Sequence, residues 1–163
     1  MEWFVKAFLK ASLTWLGLGV TLGVGMALSP ALVVYRPAHM HMNLLGFVTM
    51  MIFGVAYHVI PRFTGHPLHD RRLARWHWWI SNAGLAVLAC GFAAAPHLGR
   101  TAAPMLAGGG VLSALGAYCF IYNLWHTIDG RAVQHRAVAA AESPPRASSR
   151  GPSRLPVISE TAR

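Results

Sequence analysis

Four apolar runs separated by short polar gaps constrain this chain more than any other feature; they cover about 5–28, 39–60, 76–95 and 104–126. Each is near the roughly 20 residues a helix needs to cross the hydrocarbon of a bilayer. Inside lipid no water is at hand for backbone N–H and C=O groups, so a spanning segment must bond to itself, as a helix does. A soluble domain is a poor alternative. With 55% hydrophobic and only 12% charged residues over 163 positions, a water-soluble fold would expose much of its apolar surface. The sequence predicts an all-α integral membrane four-helix bundle over residues 1–130.

The formal charge of +9 raises the question of nucleic acid, but the basic residues do not gather in one patch. Lys6, Lys10, Arg62, Arg71, Arg72, Arg75 and every basic residue after the fourth run fall on one side, and only Arg36 and Arg100 on the other. Membrane topology explains that asymmetry, and no nucleic-acid partner is expected. The lipid bilayer is the expected partner. The positive-inside rule puts both termini and the 62–75 loop in the cytoplasm of a bacterial-type inner membrane, with Trp3, Trp76, Trp78 and Trp79 in the inner aromatic belt. The first run begins with lysines and ends among small residues, as a signal peptide does, but its apolar part exceeds a typical h-region and a spanning helix is expected. Residues 131–163, with Ser143-Pro144-Pro145-Arg146 and Ser148-Ser149-Arg150-Gly151-Pro152, read as a disordered basic cytoplasmic tail suited to anionic lipid.

Gly17, Gly19, Gly23 and Gly25 lie in the first run, and Gly108, Gly109, Gly110 and Gly116 in the fourth. Small residues let helix backbones approach closely in lipid. The Gly19/Gly23 pair therefore serves either packing within one bundle or a homodimer face. Cys90 and Cys119 sit at different depths, too far apart for a disulfide. The absence of CxxCH argues against a covalently attached c-type haem.

The nine histidines carry the chemistry. His39 and His41 stand at the outer mouth of the second run, His97 in the outer loop, and His58, His77 and His126 at the inner ends of the second, third and fourth runs. Ionisable groups at a membrane segment are costly and point to function. Two helical positions apart means about 200° in direction, so His39 and His41 face different partners. His39, Asn43, Gly46, Met50, Gly54, Tyr57 and Pro61 share one side, mixing small and polar residues with one imidazole. That face suits a flat planar cofactor whose iron an imidazole ligates, or hydrogen bonding to another helix. The inner trio His58, His77 and His126 suits zinc, copper or the iron of a second haem, or else sits at headgroup level. Asp70 and Asp129 are expected to pair with nearby arginines. No carboxylate pair, nucleophile–base arrangement or phosphate loop occurs, so no catalytic residue is named.

Arg36-Pro37-Ala38-His39, Asn43 and Tyr57-His58-Val59-Ile60-Pro61-Arg62 resemble the second transmembrane helix of haem–copper oxidase subunit I, most closely in the cbb-type cytochrome c oxidases and nitric oxide reductases. The likeness covers about residues 33–63. It implies a bundle like the first helices of that subunit, with a b-type haem near the outer face. His39 would be an axial ligand of its iron, Arg36 the partner of a propionate, and Asn43 a wall of the same site. Sliding the match to His41-Met42-Asn43 makes His41 the rival ligand. In that family the copper-binding histidines and the remaining haem ligands lie on later helices, so independent oxygen reduction is not expected. The role implied is electron transfer, haem or NO sensing, or assembly within a larger respiratory complex. A second axial ligand would come from His97, His41, Met42 or another copy of the chain. The alternatives are a haem-free structural or accessory subunit, and a metal-handling protein using the inner histidines.

Overall fold

A computed structural model describes residues 1–131, 133, 134, 137 and 138. Apart from those few positions, the basic tail expected over 131–163 lies outside the described residues. The elements are α1 (Trp3–Leu28), a 3₁₀ segment (Pro30–Tyr35), α2 (Arg36–His41), a π-helical segment (Met42–Thr49), α3 (Met50–Thr64), α4 (Arg71–Leu98), a 3₁₀ turn (Gly99–Ala102) and α5 (Ala103–Ile128). The fold is an all-helical membrane bundle. Among the described residues, three stretches are long and apolar enough to cross a bilayer: Trp3–Leu28, Pro30–Thr64 and Arg71–Ile128. Four were expected, and the third stretch supplies two of them, since Gly99, at a positive φ of 54°, turns the chain between α4 and α5. That stretch is a hairpin. Ser81 meets Gly116, Gly84 meets Ser113, Leu88 meets Gly109 and Gly91 meets Leu106, so α4 and α5 run antiparallel at glycine-permitted distance.

The helices overrun the apolar runs, because helical turns continue onto the charged and aromatic residues that flank them. α3 continues past Pro61 to Thr64, and α4 past Pro96 to Leu98. Each proline lacks the N–H that would bond four residues back, to the Tyr57 or Phe92 carbonyl, and each helix ends within three residues of it. Gly65, at φ 69°, then ends α3. Asp70 begins α4 by accepting from the N–H groups of Arg72 and Leu73 at 2.6 and 3.2 Å. It is an N-cap, not the arginine partner expected, because those two amides would otherwise have no acceptor. Asp129 does pair, with Arg131 at 3.8 Å.

At the basic end, Arg71 meets Glu2 at 3.3 Å, and Asn123 of α5 clasps the backbone of Asp70 by accepting at 2.9 Å and donating at 2.7 Å. At the opposite end Tyr35 bonds His97 at 2.8 Å. The core sits toward the basic end and comprises Phe4, Val5, Phe8, Met50, Phe53, Tyr57, Ala74, Leu85 and Leu124. Leu13, Leu18, Val20, Val24, Ile52, Val55, Val111, Leu115 and Ile121 face outward, as lipid-covered helices require. Cys90 and Cys119 are both free thiols.

Candidate functional site

α2 opens with Arg36 and Pro37 in its first turn and delivers His39 against α1. The His39 Nδ1–H donates to the Gly19 carbonyl at 2.8 Å, since a carbonyl can only accept. That bond fixes the tautomer and leaves Nε2 with its lone pair. A Cβ on Gly23 would stand 2.8 Å from His39 Cε1, and one on Gly19 would stand 2.6 Å from the Asn43 amide. The two glycines and the two polar residues are each four apart, and they interlock antiparallel. Gly19 and Gly23 are therefore used within one chain, the first of their two readings, and lend no support to a homodimer face.

Asn43 Nδ2 donates to the His39 carbonyl at 2.9 Å. Its 3.3 Å approach to His39 Nδ1 cannot be a second donated bond, because that nitrogen already carries the proton given to Gly19. Asn43 lies in the π-helical segment, where Thr49 Oγ1 bonds five residues back to the Leu44 carbonyl at 2.8 Å. Single π turns cluster at functional positions, and this one begins directly after the histidine pair. Sequence spacing gave no sign of it. The face read from the sequence does meet α1: Trp15 lies over Gly46, Phe8 and Leu9 over Gly54, and Phe4 and Phe8 against Tyr57.

Beside His39 lies an open groove of about 520 Å³, lined by Met26, Ala27, Val33, Arg36, His39 and Met40. The guanidinium of Arg36 and the imidazole of His39 thus border the same space. His41 points elsewhere: Nδ1–H donates to the Pro37 carbonyl at 2.8 Å and the ring lies 4.6 Å from that of Phe92 on α4.

The histidines at the basic end do not converge. His77 is fully buried, its ring 4.6 Å from Phe53 and 4.8 Å from Phe8, and Tyr57 Oη lies 2.9 Å from its Nδ1. His58 sits under Arg62, 2.9 Å from its guanidinium. His126 stacks edge-on with His69 at 5.0 Å and Tyr122 at 4.3 Å. Among the described residues no three histidines, cysteines or acids stand close enough to share a metal ion. The shared zinc or copper site expected from His58, His77 and His126 is therefore corrected. Ending at one membrane level does not bring side chains together when each turns toward its own neighbours.

The chain matches the family of cytochrome c and quinol oxidase polypeptide I over residues 6–103. It belongs to that family. Cytochrome c oxidase subunit 1 of Rhodobacter capsulatus is 30% identical, over 55% of this chain and 22% of the relative. A cytochrome c oxidase subunit 1 homolog of Agrobacterium tumefaciens is 35% identical over 31% of this chain and 10% of the relative. A bacteroid homolog from Bradyrhizobium diazoefficiens is 26% identical, over 55% and 21%. The chain thus spans about a fifth or less of the length of these relatives.

Within this polypeptide I relative, sequence reasoning named His39, Arg36 and Asn43 but missed what holds them. The Gly19 carbonyl is backbone and carries no side-chain signal. Gly23 was visible, and its spacing to Gly19 equals that of His39 to Asn43, which was the clue available. Asn123, Thr127 and His66, which bind the 65–70 loop to α5, were also missed. Isolated polar residues in an apolar run name no partner until the fold supplies one.

Proposed function

We propose that this membrane protein binds a b-type haem at the end of the bundle opposite the arginine-rich loop, with His39 as iron ligand, and works in electron transfer inside a larger respiratory complex. The observation that carries the reading is His39 itself: its Nδ1–H is held by the Gly19 carbonyl and its ring borders an open groove. Histidines that ligate metals usually donate the other ring N–H to a carbonyl or carboxylate, which sets the tautomer and raises the basicity of the ligating nitrogen. The residues present fit the group. His39 would take the iron through Nε2, Arg36 would neutralise a propionate, and the groove would take a planar ring among Met26, Ala27, Val33 and Met40. Asn43 keeps the backbone under His39 in place. Bound there, a b-type haem supplies one-electron chemistry tuned by its ligands and by burial.

Membership of the oxidase polypeptide I family supports haem as the cofactor class. The arrangement of Lys6, Lys10, Arg62, Arg71, Arg72 and Arg75 at one end supports cytoplasmic termini and, with them, a haem near the outer face. Full-length protein purified from haem-replete cells should show a Soret band and a sharp reduced α-band, with one b-type haem by pyridine haemochrome. A colourless preparation that stays colourless on haem addition would defeat the proposal.

A further inference from the structure

The basic end carries a second built feature. Trp3, Arg72, Arg75, Trp76 and Trp79 line a groove of about 420 Å³ between the start of α1 and the first turns of α4. Its walls are braced by aromatic contacts, with Trp3 edge-on to Trp78 at 6.0 Å and Trp78 edge-on to Trp79 at 4.6 Å. Trp3, Trp76 and Trp79 are nevertheless 47%, 66% and 60% exposed. Large indole faces left open on a membrane helix meet lipid at the headgroup boundary.

The charge at this end is uncompensated. Among the described residues the acids are Glu2, Asp70 and Asp129, and all are engaged elsewhere: Glu2 with Arg71 at 3.3 Å, Asp129 with Arg131 at 3.8 Å, and Asp70 on the amides of α4. No carboxylate within 4.0 Å answers Arg72 or Arg75 among the described residues. Two guanidinium groups on one groove, without a protein counter-ion, call for an anion, and phosphate suits their planar donor geometry. Free phosphate would leave the indole walls unused. A phospholipid uses both.

We propose that this groove is a binding site for one anionic phospholipid, its phosphate held by Arg72 and Arg75 and its glycerol and upper acyl chains laid on Trp3, Trp76 and Trp79. The lipid would tie the start of α1 to the start of α4. These are the two elements that the Glu2–Arg71 ion pair and the Trp3–Trp78 contact already join at this end.

Native mass spectrometry of the full-length protein, titrated in detergent with phosphatidylglycerol or phosphatidylcholine, tests this. Phosphatidylglycerol should bind as a single tight adduct, roughly tenfold or more in preference to phosphatidylcholine. The Arg72→Ala/Arg75→Ala variant should lose that preference, whereas Arg100→Ala, at the far end, should keep it. Equal binding of the two lipids, or a preference unchanged in the double variant, overturns the site. Displacement of the lipid by millimolar inorganic phosphate would make it a free-anion site and overturn the lipid assignment. Should the double variant fail to fold, wild-type tryptophan fluorescence decides. Phosphatidylglycerol brominated near the glycerol must quench more strongly than brominated phosphatidylcholine, and equal quenching refutes the proposal.

Discussion

The two ends of this bundle handle histidine in opposite ways. At the basic end His77 is closed in by Phe8, Phe53, Tyr57 and Phe120, with its Nδ1 on the Tyr57 hydroxyl and its Nε2 sealed off and without a partner among the described residues. At the opposite end His39 is held as firmly through Nδ1, but Gly23 and the groove beside Arg36 leave its ring edge room. Both imidazoles are anchored at one nitrogen, and only one has space at its side. Ligand competence in a membrane helix thus depends less on the residue than on what is missing next to it. A cofactor cannot enter where four rings already pack at interior density.

The largest effect that could break this contrast is on haem content. His39→Ala should abolish the reduced α-band, while His77→Ala should leave the haem-to-protein ratio of the folded fraction unchanged. The reverse outcome in a pyridine haemochrome assay would move the site to the basic end.

Stability should show the opposite asymmetry. Phe8 is fully buried and touches Phe53, Tyr57 and His77, so Phe8→Ala should cost about 3–5 kcal/mol in reversible unfolding from micelles. Met26→Ala, on the open groove, should cost less than about 1 kcal/mol. Comparable losses would mean the groove end is as tightly packed as the core.

A smaller effect sharpens the role of the interlocked pairs. Gly23→Ala puts a methyl 2.8 Å from His39 Cε1 and should weaken haem binding by roughly 10–100-fold, the range for disturbed outer-shell support. Gly17→Ala meets nothing within 4 Å among the described residues and should leave binding alone. Haem titration of the apoprotein separates the two.

The mildest change is Asn43→Ala. It removes one side-chain bond to the His39 carbonyl and should lower stability by about 1 kcal/mol while the α-band persists. Loss of the band in Asn43→Ala would show that the π-helical segment collapses without that bond.

Much of this was legible in one dimension. Backbone hydrogen bonds in a lipid-spanning helix are local, so apolar length alone gave the helical runs, and the basic gaps gave the shared end of the loops. The face running from His39 to Tyr57 was likewise readable from spacing. The trio at the basic end failed because depth along a helix says nothing about azimuth. His58, His77 and His126 share a level but turn to Arg62, the aromatic cage and His69 respectively.

The order of residues determined by itself that this chain is a helical membrane protein and which imidazoles stand at which end of the helices. Only the tertiary structure decided which imidazole has a carbonyl behind it and open space beside it. Those neighbours come from α1, some 16 to 20 positions upstream of His39, and are brought to it by a close helix crossing. Such crossings depend on shape complementarity between distant segments, a property that no single run of sequence contains.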